Sequence, residues 1–117
     1  MSVEERPAGD VVVLDVKGEM MNNKEYGSLK RRVGEVLDRG HLSLLLNLSQ
    51  VPYMNSRGVG ELASAFISVR NRHGKLKVAA SQSRVMKILA LSKLDTVIEM
   101  FDTEAEALHS FASAQQS

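Results

Sequence analysis

Residues 44–60 read LLLNLSQVPYMNSRGVG: an apolar run ends at a turn, and Asn55 and Ser56 stand where a helix begins. Residues 41–48 contain LSLLLNL, a nearly continuous apolar stretch of strand length. Such a stretch suits a strand covered on both faces by helices, so it is expected at the centre of a sheet. After the turn at residues 50–55, Val59, Leu62, Ala63, Phe66 and Val69 recur at helical spacing. The far end of that helix carries Arg70 and Arg72, which match the helix dipole, and Gly74 is the expected C-cap.

The flanks repeat this alternation. Residues 11–16 (VVVLDV) are β-branched and bounded by Gly9-Asp10 and Gly18, which predicts a strand, and residues 2–6 carry a weaker edge-strand signal. From Asn22 the period becomes helical through Tyr26, Leu29, Val33, Val36 and Leu37, with Asn22 as N-cap, Glu25 three residues on, and Gly40 closing the helix. Downstream, residues 75–80 (KLKVAA) predict a strand, residues 83–91 a short helix with Val85, Ile88, Leu89 and Ser92 on one face, and residues 96–101 (TVIEMF) a last strand. Thr103 and Glu106 form a capping box ahead of Leu108, Phe111 and Ala112. Strands alternating with helices, without repeat or linker, predict an α/β domain with helices packed on a largely parallel sheet.

Composition narrows the function. A chain of 117 residues fits one domain, and its net charge of +1 supplies no bulk attraction for nucleic acid or anionic membrane. The absence of cysteine removes disulfides, thiolate nucleophiles and the common zinc patterns. The acidic start MSVEERPAGD is unlike a signal peptide, and no apolar run approaches the roughly 18 residues of a membrane span. A soluble cytoplasmic protein is expected.

Motifs for catalysis are missing. His41, His73 and His109 are far apart and at element boundaries, without metal-ligand spacing, and read as surface residues. There is no phosphate-binding Gly-x-x-x-x-Gly-Lys loop, and Gly58-Val59-Gly60 lacks the third glycine of a dinucleotide fingerprint. Ser56 lies outside any Gly-x-Ser-x-Gly elbow, and Glu35 and Glu61 are single carboxylates expected on a solvated face or a rim. The chain reads as a binding module, with no enzyme activity, metal or cofactor expected.

Two readings of Ser56 remain open. Asn55 or Ser56 caps the helix, a contribution of about 1 kcal/mol. Alternatively, since a helix N-terminus gathers N–H donors and partial positive charge, the fold tolerates a phosphate on Ser56.

Gly18-Glu19, Leu46-Asn47-Leu48-Ser49 and above all residues 51–60 (VPYMNSRGVG) make the chain similar, over nearly its whole length, to the STAS domain of bacterial anti-sigma factor antagonists. The resemblance implies one α/β domain over residues 1–117, with residues 3–113 as its ordered core, and a mixed, largely parallel sheet of four to five strands packed by about four helices. It also implies an anti-sigma factor that is itself a serine kinase as partner, bound by the unphosphorylated chain and released when Ser56 is phosphorylated. On the same resemblance the partner-binding residues are Met21, Asn22, Asn55, Ser56, Arg57, Gly58, Gly60 and Glu61. The chain differs from the family pattern in carrying Asn55 and Asn47 where aspartate is usual, Met20-Met21 after Gly18-Glu19, and Arg57 beside the serine. The loss of acid leaves a second reading, a non-phosphorylated STAS scaffold or adaptor in a signalling assembly or lipid-transport complex. Homodimers or assembly with other STAS proteins are compatible with either.

Overall fold

The computed structural model describes residues 2–19 and 28–116. In chain order the elements are β1 (Ser2–Ala8), β2 (Val11–Lys17), α1 (Ser28–Asp38), β3 (Ser43–Gln50), α2 (Ser56–Asn71), β4 (Lys75–Ala79), α3 (Ser83–Leu91), a 3-10 turn (Leu94–Thr96), β5 (Met100–Phe101) and α4 (Glu104–Gln116). The five strands form one sheet in the order β1-β2-β3-β4-β5. β1 runs antiparallel to β2, and the remaining pairs are parallel. The expected mixed, largely parallel sheet with four helices among the described residues is therefore the observed one.

The run of leucines in β3 follows from coverage on both faces. Leu44, Leu46 and Leu48 join Val12, Leu14, Leu76 and Val78 in a large cluster closed by α1, α2 and α3. Leu45, one residue out of phase, joins Val11, Val13 and Ala79 against Ala107 and Phe111 of α4. Side chains alternate across a sheet, so a strand covered on both sides needs apolar residues at consecutive positions. β4 breaks the rule at Lys77, which is only 3% exposed. Its ammonium donates to Ser110 Oγ at 2.5 Å, lies 3.4 Å from Glu99 Oε2 and sits 4.6 Å from the Phe111 ring centroid. Hydrogen bonding and cation–π attraction thus offset the desolvation of a buried charge.

Three boundaries differ from those expected. β1 is a full edge strand through Ala8, paired from Ser2↔Lys17 to Ala8↔Val11. Only Met100 and Phe101 of residues 96–101 join the sheet, because Leu94–Thr96 form a 3-10 turn that delivers Ile98 into the core. At the end of α2 the C-cap is Arg72, and the left-handed position falls on His73 (φ 63), not on Gly74. The bonds His73 N to Arg70 O and Gly74 N to Val69 O, both 3.0 Å, form a Schellman closure. Gly74 is needed for another reason: a Cβ there would stand 2.6 Å from Leu42 O. Gly40, by contrast, does occupy the left-handed position (φ 91) that closes α1.

Candidate functional site

The chain leaves β3 through a turn pinned from below. Val51 and Met54 are fully buried, and Val51 N bonds back to Leu48 O at 3.0 Å. Asn55 follows in extended conformation (φ −106, ψ −168), and its Oδ1 accepts from Arg57 N at 3.0 Å and Gly58 N at 3.2 Å. Asn55 is therefore the cap, satisfying two of the N–H groups that open α2. Ser56 is released from that task. It is the first residue of α2, exposed, and its hydroxyl holds no hydrogen bond among the described residues.

The expected site residues separate into layers. Asn55, Ser56 and Arg57 share the surface at the head of α2, whereas Gly58 is buried and Gly60 half-buried. Glu61, expected on a solvated face or a rim, is 5% exposed and accepts from Leu29 N at 3.3 Å. That is a correction: position 61 falls on the inward stripe of α2 with Leu62, Ala65 and Val69, where the carboxylate bridges to α1. Met21 and Asn22, like the Met20-Met21 pair and the Asn22/Glu25 cap, lie outside the described residues. Asn47 turns elsewhere: its Oδ1 accepts from Ser49 N at 2.9 Å and its Nδ2 donates to Glu104 Oε1 at 3.0 Å. The three histidines are all exposed and follow or sit on different helices.

Beside Ser56 runs an open groove of about 430 Å³ bounded by Tyr53, Val59, Ile88, Leu91 and Ser92. Leu91 is 84% exposed, more than the exposed Leu42, Ile67 and Val97, and it borders this groove. Arg84 lies over the Tyr53 ring at 5.3 Å, and Gln82 Nε2 donates to Ser49 O at 2.9 Å, so α3 is held against the turn. The contribution of α3 was not legible from residues 44–60. Its signal was Leu91, an apolar residue off the Val85/Leu89 stripe that faces the core.

The strongest electrostatics lie away from this groove. Arg6 of β1 reaches Asp15 of β2 and Glu104 of α4, each at 2.5 Å. The hydrogen bond to Arg6 holds the Asp15 carboxyl below its ordinary range, and bonds from Arg6 and Asn47 do the same for Glu104. The guanidinium is correspondingly held above its own ordinary value.

A sequence profile of the STAS domain matches residues 2–107. A protein of Thermotoga neapolitana named as a candidate anti-sigma factor antagonist is 29% identical over 99 residues, 85% of this chain and 88% of its own. The crystal structure of a like-named protein from Thermotoga maritima superposes with a TM-score of 0.84 at 25% identity, over 92% of each chain. SpoIIAA of Bacillus, an anti-sigma factor antagonist solved in unphosphorylated and phosphorylated forms, has the same fold. Its two structures superpose at a TM-score of 0.71, with 17% identity over 95% of this chain and 98% of that one, and 18% over 94% and 99%.

Proposed function

The chain belongs to the STAS domain family, and on that premise we propose that it is a non-enzymatic, cytoplasmic anti-sigma factor antagonist switched by phosphorylation of Ser56. Unphosphorylated, it binds an anti-sigma factor that doubles as a serine kinase and so frees a sigma factor. Phosphorylated, it is released. The observation that carries this reading is the exposed, unbonded Ser56 hydroxyl standing one residue past its cap, beside an apolar groove.

The chemistry supports such a switch in two ways. With Asn55 already capping α2, a phosphate on Ser56 takes no structural bond away, and the partial positive charge of the helix N-terminus favours it. SpoIIAA keeps this fold with and without its phosphate. In a bound complex the added charge of roughly −1.5 to −2 would sit against the partner. An uncompensated buried charge costs about 3–5 kcal/mol, a loss of roughly a hundredfold to several thousandfold in affinity. Arg57 beside the serine offsets part of that charge.

The test mixes the purified chain with each anti-sigma factor of its host and ATP, and follows binding by calorimetry and modification by intact mass. The expected results are one phosphate mapped to Ser56, a Ser56→Ala chain that stays bound, and a Ser56→Asp chain weakened by a hundredfold or more. Equal affinity of all three forms would remove the switch. Binding without any phosphorylation would move the protein to the scaffold or adaptor reading.

A further inference from the structure

Among the described residues the exposed side of α3 is basic. Residues 82–95 carry Arg84, Lys87 and Lys93 as cations and Asp95 as their one acid, in a chain whose net charge is only +1. Arg84, Lys87 and Leu91 recur at i, i+3 and i+7, so they line one exposed stripe of α3. Among the described residues Arg84, Lys87 and Lys93 enter no salt bridge. Glu5 is paired with Arg32 and Arg39 and Asp38 with Arg72, whereas Lys30 and Arg31 of α1 also enter no salt bridge among the described residues, so they serve as a control for charge alone. At the end of the same stripe Leu91 leaves most of its surface in water beside the 430 Å³ groove.

Arg84 packs over Tyr53, but Lys87, Lys93 and most of the Leu91 side chain contribute little to the fold: cations short of acids repel one another, and an exposed leucine leaves its burial energy unused. Both become favourable against a surface of opposite character. A second copy of this chain is the wrong occupant, since a two-fold contact through this stripe would set its cations against the same cations.

We infer that the α3 stripe is the specificity element of the docking surface, and that it selects a partner protein presenting an acidic rim around an apolar pocket that receives Leu91. This rests on the antagonist reading above, and it adds the chemistry of the partner to it. Phosphorylation of Ser56 then acts twice: it puts negative charge against an acidic rim and reduces the positive field that draws the partner in.

The experiment uses the host's purified anti-sigma factors against the full chain and three variants whose fold is checked by circular dichroism and melting. Arg84→Glu with Lys87→Glu should weaken binding by about tenfold per reversed charge at low salt, with the difference shrinking at high salt. Leu91→Ser should weaken it by about tenfold at every salt concentration, as expected for an apolar anchor. Lys30→Glu with Arg31→Glu, the same charge change on exposed positions of α1, should bind as the parent chain does. Unchanged binding of the α3 variants to an anti-sigma factor that binds the parent overturns this inference and leaves the antagonist reading standing. Equal weakening by the α1 pair also overturns it, because the effect would then be one of net charge. Failure of every anti-sigma factor to bind the parent overturns both.

Discussion

Two polar regions of this protein are built on opposite principles. Around Arg6, side chains from β1, β2, β3 and α4 satisfy one another: the guanidinium holds Asp15 and Glu104, and Asn47 donates to Glu104. Around Ser56 the satisfied groups lie underneath, in the Asn55 cap and the Glu61 bond to Leu29 N, while among the described residues the Ser56 hydroxyl above them holds no hydrogen bond and Leu91 leaves most of its surface in water. Polar groups that close on each other hold elements together. Groups that a fold leaves open, over a rigid foundation, are available to a second molecule.

The contrast can be broken first at its foundation. Met54 is fully buried beneath the Ser56 turn, so Met54→Ala should cost about 2–5 kcal/mol in urea unfolding. A loss below about 1 kcal/mol would mean that the turn is not anchored there. At the next level, Asn55→Ala should cost about 1 kcal/mol and Ser56→Ala less than about 0.5 kcal/mol, because only the former removes cap bonds. Equal losses would return the capping role to Ser56.

The smallest effect belongs to the Arg6 cluster and is read in its pH dependence. Asp15 and Glu104 are held below their ordinary values of 3.8 and 4.5, first by Arg6. Their contribution is therefore present above those values and is lost as the pH falls through the lowered ones. Arg6 remains charged throughout. Its side chain is 44% exposed, so solvent screening keeps each ion pair under about 1 kcal/mol. Urea midpoints of the parent should fall between pH 5 and acid in a way that Arg6→Leu reduces but does not abolish. Glu5 supplies the residue of that slope: burial raises its pKa, and Arg39 and Arg32 more than reverse the effect. An acid limb unchanged by Arg6→Leu would mean that the cluster does not couple β1 to α4.

Much of this was legible in the chain. The apolar run of β3 gave the sheet centre, and 3.6-residue periods gave the helices. The edge strand β1 was faint because SVEERPA pairs on one side only and its residues stay largely exposed. Residues 96–101 were β-branched enough to imitate a strand, yet the preceding 3-10 turn spends Ile98 on the core and leaves two residues for pairing. Glu61 misled for the opposite reason: its charge suggested water, while its phase on α2 pointed inward.

Local rules reach about one helical turn along the chain, so the sequence by itself determined the alternation of strands and helices, the break at residues 50–55 and a helix head at Asn55-Ser56. Its near-neutral charge also argued against bulk attraction to nucleic acid or anionic membrane before any fold was known. Tertiary structure alone decided that Glu61 is sealed against α1, and that α3 brings Leu91 and its cations beside a serine about 30 residues earlier in the chain. Those outcomes depend on contacts between residues far apart in sequence, which appear only when the helices have packed on the sheet.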